Sequence, residues 1–122
     1  MKASELRIGN YVKNAAWNGE ECKIDSGDLL AMSLCEVAGY EAEFIAPIPL
    51  TEEWLIKFGF EYEKSTVGGY ERWEITTVKG RRIKLLDKKF SWGPGEYSDY
   101  ILYVHQLQNL YFALTGQELS IK

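Results

Sequence analysis

The fold of this chain depends most on residues 104–116, which read Val104-His105-Gln106-Leu107-Gln108-Asn109-Leu110-Tyr111-Phe112-Ala113-Leu114-Thr115-Gly116. At about 100° per residue, most of the apolar side chains fall within one arc, about 120° wide, that suits packing on a core. The arc contains Tyr103, Val104, Leu107, Leu110, Tyr111 and Leu114. Gly116 fits the left-handed position that ends a helix. The sequence therefore predicts an amphipathic C-terminal helix over residues 104–114.

One flank of this helix carries a large apolar ring among polar side chains. Phe112 lies outside the apolar arc, beside His105, Gln108 and Asn109. Packing one helix face does not bury both the arc and Phe112, so the flank needs a second contact, from elsewhere in the chain or from another molecule. We expect His105, Gln108, Asn109 and Phe112 to face a partner, either another protein or a second copy of the chain.

Composition places the chain among ordinary globular proteins, since 46% of its 122 residues are apolar and 26% are charged. This length predicts a single domain over residues 1–122, with a β-rich lobe at 1–49 and a second lobe at 50–122. No apolar run approaches the roughly 18 residues of a membrane span, and residues 1–5 are not followed by the apolar core of a signal peptide. We expect a cytoplasmic protein that does not bind membranes.

The first lobe shows short segments typical of strands. Residues 6–12, 21–24, 29–34 and 43–45 are predicted as strands, with a hairpin turn at Asn18-Gly19. The run Leu29-Leu30-Ala31-Met32 fits a helix as well, so the sequence leaves both alternatives open at this point.

The second lobe begins with a helix and continues as strands. Thr51 is a good N-cap, Trp54, Leu55 and Phe58 form an apolar face, and Gly59 ends the helix. Strands are predicted over residues 60–64, 70–78, 81–86, 90–92 and 97–103, joined by turns rich in glycine and charge. Strands joined by short turns form an antiparallel meander, which the C-terminal helix is suited to cover. The predicted class is α+β: a small N-terminal β lobe, a linking helix, and a meander covered by a C-terminal helix.

Charge is unevenly distributed along the chain, whose net charge is −4. Residues 20–63 hold eleven acidic side chains against two lysines, whereas residues 79–89 hold six basic side chains against one aspartate. The basic residues are Lys79, Arg81, Arg82, Lys84, Lys88 and Lys89. They form either a solvated hairpin or a patch for an acidic partner such as a nucleic acid backbone.

The chain has few of the side chains that usually act as metal ligands or nucleophiles. His105 is the only histidine, and Cys22 and Cys35 are the only cysteines, which is too few ligands for a zinc site of the Cys/His type. Neither cysteine lies in a recognisable nucleophile motif, and both are expected to be buried free thiols. The glycine-rich turns lack the lysine and the strand-to-helix context of a phosphate loop. We therefore predict no catalytic, metal or cofactor-binding residues, and we expect that the protein is not an enzyme.

Three sequence motifs of this chain resemble those of a known protein family. They are Leu6-Arg7-Ile8-Gly9-Asn10, Ile48-Pro49-Leu50-Thr51-Glu52-Glu53-Trp54-Leu55 with Lys57-Phe58-Gly59-Phe60, and the C-terminal segment at residues 104–116. With these motifs the chain resembles a family of small uncharacterised proteins from Bacteroides-type genomes, their prophages and other mobile elements. The resemblance covers about a quarter of the chain and implies a cytoplasmic bacterial or phage setting without assigning catalytic residues.

These observations favour a non-enzymatic protein-interaction module of a phage or mobile element. The alternative is a nucleic-acid-binding accessory protein that uses the basic residues at 79–89.

Overall fold

The computed structural model describes residues 2–15, 18–39, 44–64, 71–76, 82–86, 89–91 and 101–121. Its helices and strands belong to the α+β class, as predicted. Along the chain they are a 3₁₀ helix at Ala3–Glu5, β1 (Tyr11–Asn14), β2 (Glu20–Lys23), α1 (Ser26–Val37), β3 (Ile45–Ala46), α2 (Glu52–Lys57), β4 (Glu61–Lys64), β5 (Glu71–Thr76), β6 (Arg82–Leu86), β7 (Lys89–Ser91) and α3 (Val104–Thr115).

The first sheet has the strand order β2-β1-β3, and both pairings are antiparallel. Val12 lies opposite Cys22, and Lys13 lies opposite Ala46. The β1–β2 connection contains the predicted turn at Asn18-Gly19, where both residues have a positive φ, of 57° and 74°. Asparagine and glycine are the residues that adopt this conformation most easily, which confirms the turn signal.

Residues 29–34 belong to a helix, so the structure selects the helical alternative over the predicted strand. Asp25 is the N-cap of α1, and its Oδ1 accepts the Asp28 N–H at 2.8 Å. The Asp28 Oδ2 accepts the Asp25 N–H at 3.1 Å, which completes a reciprocal cap. Two backbone donors are satisfied at the start of the helix, and this local gain favours helix over strand for the ambiguous leucine run.

The linking helix α2 forms where it was predicted. Thr51 precedes it in an extended conformation, although its side chain makes no capping hydrogen bond. Trp54, Leu55 and Phe58 are buried, and Gly59 follows with a φ of 89°. This left-handed glycine lets the chain turn back, so that the Phe60 N–H reaches the Leu55 carbonyl at 2.9 Å.

The second sheet is an antiparallel meander in the order β4-β5-β6-β7, close to the predicted strands. Ile75 lies opposite Ile83 and Trp73 opposite Leu85, and all four side chains are buried. The glycine-rich turns predicted at 67–69, 79–80 and 93–95, and residues 97–100 of the last predicted strand, lie outside the described residues. Of the rest of that strand, Tyr103 forms an isolated antiparallel bridge with Pro49.

The C-terminal helix α3 forms as predicted and shares one apolar core with the meander. Val104, Leu107 and Tyr111 are buried in one core with Ile75 and Ile83 of the sheet. Leu110 and Leu114, expected to be largely buried, are only partly buried at the edge of this core. Gly116 ends the helix with a φ of 71°. At the other end, the Gln106 Oε1 accepts the backbone N–H groups of Leu102 and Tyr103.

Two apolar clusters lie in the described part of the chain. The larger is built from α2, α3 and the meander, together with Ile48, Leu50, Ile101 and Leu119. The smaller consists of Leu6, Val12, Ile24, Met32 and Ile45, which join the first sheet to α1. Tyr11 connects the lobes, because its ring packs 5.1 Å from the Trp54 ring, measured between centroids.

Candidate functional site

The three motifs that carry the resemblance meet in the structure. The Ile48 carbonyl accepts the Val104 N–H at 2.9 Å, and the Leu50 N–H donates to the Leu102 carbonyl at 2.8 Å. The first motif, at residues 6–10, lies against α3, where Gly9 and Asn10 form hydrogen bonds with Gln108 and Asn109. The motifs therefore form the junction at which the N-terminal segment, the start of α2 and the C-terminal helix are joined.

Gln108 is the centre of this junction. Its side chain is fully buried, its Oε1 accepts the Tyr11 N–H at 2.8 Å, and its Nε2 donates to the Gly9 carbonyl at 3.2 Å. One side-chain amide thus satisfies a backbone donor and a backbone acceptor at the entry to β1. A buried amide with both ends paired adds specificity to a contact, because a shift of the chain leaves both groups unsatisfied.

Asn109 extends the same network toward the N-terminus. Its Oδ1 accepts from the Asn10 Nδ2 at 2.9 Å, and its Nδ2 donates to the Glu5 carbonyl at 3.0 Å. Asn10 is itself buried, and its Oδ1 accepts the Arg7 N–H at 2.6 Å. The N-terminal segment is therefore held in a defined conformation by amide groups of α3.

Arg7 completes the contact on the outer side. Its Nε donates to the Asn109 Oδ1 at 3.0 Å, and its guanidinium forms an ion pair with Glu118. The guanidinium carbon lies 4.1 Å from the centre of the Phe112 ring, which is a cation–π contact. Phe112 remains 38% exposed, so Arg7 covers only part of it.

The polar flank of α3 is contacted by the N-terminal segment of the same chain. The N-terminal segment of the same chain contacts Gln108, Asn109 and Phe112, and Gln108 does not face a partner in this structure. His105, the fourth predicted residue, is also buried. The flank is therefore largely occupied by the chain itself.

His105 lies apart from the amide network. Its ring stacks on Tyr103 with centroids 5.8 Å apart and planes 13° apart, and its Nδ1 is buried without a hydrogen-bond partner. Burial lowers the pKa of His105 from its ordinary value of 6.5, while the charge of Glu5 acts in the opposite direction. Burial of the ring therefore favours the neutral form of the imidazole.

The basic hairpin is described only in part. Lys79, Arg81 and Lys88 lie outside the described residues, and Arg82 and Lys89 are described as backbone positions in β6 and β7. The Lys84 side chain is partly exposed, and its Nζ lies 3.9 Å from the Glu74 Oε1. The same Glu74 oxygen lies 3.1 Å from the Arg72 Nε, so Arg72 and Lys84 both lie beside a carboxylate. Nucleic acid binding by the hairpin stays a prediction.

An exposed apolar stripe on α1 is the feature that the sequence analysis missed. Leu30, Leu34 and Val37 are 62%, 61% and 87% exposed, and they follow one another at the helical spacing i, i+4, i+7. We call these three residues the outer stripe. The opposite side of α1 packs on the smaller core through Met32, with Leu29 and Cys35 partly buried. The sequence signal that could have identified this helix is the pair Asp25 and Asp28, which stand at the N-cap and N3 positions of a capping box.

The two cysteines are free thiols, as predicted, but both are only partly buried. Burial raises the pKa of the Cys22 thiol, and the charges of Asp28 and Asp25 raise it further. A raised pKa lowers the fraction of thiolate, which is the reactive form. Cys22 therefore lies in a setting opposite to that of a catalytic cysteine.

Comparison with known proteins gives no match to a protein family, a curated protein or a solved structure. Within the described ranges, no group of three or more histidine, cysteine, aspartate or glutamate side chains is arranged to hold a metal ion. In the same part of the chain, the helices are too short or too polar to cross a membrane.

Proposed function

We propose that this protein is a non-enzymatic interaction module that binds another protein chain through the outer stripe of α1. The single observation that supports this function is the exposure of Leu30, Leu34 and Val37 on one helical face. Isolated exposed apolar residues are normal, but a row at helical spacing is the pattern by which helices recognise apolar grooves and other helices.

The charge of α1 favours a protein partner over other macromolecules. The helix contains Asp28 and Glu36 but no lysine or arginine. A helix that binds a membrane surface carries basic residues on its polar face, and a nucleic acid interface requires basic side chains near phosphates. Helix α1 has no basic side chain and so meets neither requirement. Binding to an apolar protein surface requires only apolar side chains, which Leu30, Leu34 and Val37 provide.

Internal packing of α1 does not need the outer stripe. Met32 is fully buried on the inner side and provides the contact with the smaller core. Exchange of Leu30 and Leu34 for glutamine keeps a good helix former at both positions and removes apolar surface that is already in water. The free energy of unfolding should therefore change by less than about 1 kcal/mol.

The experiment compares this double variant, Leu30→Gln with Leu34→Gln, against Ile56→Gln as a matched control. Ile56 is 62% exposed on α2, in a helix that also holds Glu52, Glu53 and Lys57. Tagged proteins are purified from the cells that encode the chain, after urea denaturation has shown that each is folded. We expect a protein that co-purifies with the wild type and with Ile56→Gln to be lost from the double variant.

Two results contradict the proposal. Equal co-purification with the double variant and the control would show that the outer stripe is not the binding surface. Unfolding of the double variant would show that the stripe belongs to the core of the fold.

We also propose the cytoplasm of a Bacteroides-type bacterium, and a prophage or other mobile element, as the setting of this module. The support is the resemblance of the motifs at residues 6–10, 48–55 and 104–116. The neighbouring genes test it: we expect replication, packaging or host-takeover genes beside this one, and a neighbourhood of housekeeping genes alone would contradict it.

A further inference from the structure

We infer that Asn18 is a site of spontaneous deamidation, and that the closed connection between β1 and β2 suppresses this reaction in the folded protein. The inference concerns the chemistry of the turn and is independent of the outer stripe of α1. It is carried by the pair Asn18-Gly19, by the exposure of Asn18, and by two backbone hydrogen bonds that hold the turn.

Asn18 and Gly19 together supply the atoms that react. Once the Gly19 backbone nitrogen has lost its proton, it attacks the Asn18 Cγ, and the new N–Cγ bond closes a succinimide ring. The Cγ–Nδ2 bond breaks, and the side-chain nitrogen leaves as ammonia. Water then opens the ring at either carbonyl, which gives aspartate or, when the backbone passes through the side chain, isoaspartate. The reaction consumes one water molecule and needs no oxidant or cofactor.

The surroundings of the turn admit this reaction. Asn18 is exposed, so that water reaches its amide. No Cβ shields the Gly19 nitrogen, and apart from the neighbouring residues no described heavy atom lies within 4 Å of the position that a Cβ would occupy. The other asparagines are Asn10, Asn14 and Asn109, which are buried or half-buried and are each followed by a residue with a side chain. Asn18 is therefore the asparagine at which we expect the reaction.

Two hydrogen bonds of the closed turn oppose the reaction. The Gly19 N–H donates to the Asn14 carbonyl at 3.0 Å, and the Asn18 N–H donates to the Ala15 carbonyl at 3.2 Å. This is the bonding pattern of a Schellman motif, with Asn18 at its left-handed position. While the Asn14 carbonyl accepts the Gly19 proton, the nitrogen is not free to lose that proton and turn toward the Asn18 Cγ. The reaction therefore requires local opening of the turn, and its rate reports how often the turn opens.

Deamidation should in turn weaken the hairpin. An isoaspartate lengthens the backbone by one atom between Asn14 and Glu20, which lie opposite each other in the β1–β2 pair. The new carboxylate also lies close in sequence to the exposed Glu20 and Glu21, and like charges oppose each other. We expect the deamidated protein, separated by anion exchange, to unfold at a lower urea concentration than the intact protein.

Peptide mapping of the purified full chain, aged in mildly alkaline buffer, tests the inference. One portion is kept folded and the other is unfolded in urea, and both are digested with trypsin and analysed by fragmentation mass spectrometry. The tryptic peptide of residues 14–23 contains both Asn18 and Asn14, so that one spectrum compares them. We expect deamidation at Asn18 with little at Asn14, and a rate at least about tenfold lower in the folded chain than in urea.

Two matched substitutions test the role of the hairpin. Val12 is fully buried in β1, whereas Val37 is 87% exposed on α1. Val12→Ala should raise the rate of Asn18 deamidation in the folded chain several-fold, because a weaker β1 opens more often, and Val37→Ala should leave the rate unchanged. Urea denaturation establishes that each variant is folded. If Val12→Ala does not fold, the comparison of the folded wild type with the wild type in urea still decides the question.

Equal rates in the folded and the unfolded wild type overturn the suppression by the closed turn. A destabilised but folded Val12→Ala variant that deamidates no faster than Val37→Ala overturns it as well. Absence of deamidation at Asn18 in urea, or equal deamidation of Asn18 and Asn14 there, overturns the site itself. A deamidated fraction that resists urea as well as the intact protein overturns the predicted effect on the hairpin.

Discussion

The guanidinium of Arg7 lies over the ring of Phe112, with 4.1 Å between its central carbon and the ring centre. These residues are more than one hundred positions apart, and their contact explains how an aromatic ring outside the main apolar arc of α3 is held within one chain. Around it, amide groups of Gln108 and Asn109 hold residues 5–11 against the helix. The junction is thus a polar contact that fixes the N-terminal segment, while the exposed apolar stripe lies on α1.

A double-mutant cycle on Arg7 and Phe112 should detect their coupling. Arg7→Ala removes the cation–π contact, the ion pair with Glu118 and the hydrogen bond to Asn109, and we expect a loss of about 1–3 kcal/mol in the free energy of unfolding. Phe112→Leu should cost less, and the coupling between the two should be about 0.5–1 kcal/mol. Urea denaturation of the four proteins measures it. A coupling of zero would show that the stacking has no energetic consequence.

Gln108→Leu should destabilise the protein strongly despite its apolar replacement. The change leaves the partly buried Tyr11 N–H and Gly9 carbonyl without their partner, at a cost of about 1–3 kcal/mol. Gln117→Leu makes the same substitution at an exposed position just after α3 and serves as the control. It should change the free energy of unfolding by less than about 0.5 kcal/mol. Equal effects of the two substitutions in urea denaturation would contradict the role assigned to the Gln108 amide.

His105 should make stability depend on pH below neutrality. Because burial lowers its pKa in the folded state, the unfolded chain binds more protons as the pH falls past the ordinary value of 6.5. Stability is therefore full above this value and is lost as the pH decreases toward the pKa of the folded state. His105→Gln removes this contribution. Unfolding free energies at about pH 8 and about pH 5.5 should differ more in the wild type than in His105→Gln, and identical differences would refute the assignment.

Two leucines of α3 should separate the centre of the core from its edge. Leu107 is fully buried and Leu110 only partly, so Leu107→Ala should cost about 2–5 kcal/mol and Leu110→Ala clearly less. The sequence alone places Leu110 in the same buried arc as Leu107, so it predicts a cost of about 2–5 kcal/mol for Leu110→Ala as well. Thermal unfolding of the two variants decides the order, and a larger effect at Leu110 would show that the helix is rotated from its position here.

The reason for this difference shows how far the sequence predicts α3. The limits of the helix follow from local signals, namely its periodic apolar residues and Gly116. Its buried arc, however, is rotated by roughly 60° toward the polar flank. The rotation arises because two polar residues of that flank are buried: Gln108 under the N-terminal segment, and His105, whose ring stacks on Tyr103. Apolar periodicity does not register polar side chains that are buried through hydrogen bonds.

The outer stripe was missed for a related reason. The run at residues 29–34 suits either a strand or a helix by periodicity, and the reciprocal cap between Asp25 and Asp28 decides for the helix. Only when α1 is a helix do Leu30, Leu34 and Val37 share a face. The strands of the meander, the linking helix and the turn at Asn18-Gly19 could be predicted because each depends on signals within a few residues.

Site-specific photocrosslinking tests the central claim, that the outer stripe binds a protein chain, most directly. A benzophenone amino acid replaces Leu34 in one protein and Ile56 in the other, two residues with exposures of 61% and 62%, and both proteins are irradiated in the cells that encode the chain. We predict a discrete crosslinked product from position 34 that is absent from position 56, with twice the mass of the chain if the partner is a second copy. The same products from both positions, or none from position 34, would contradict the claim.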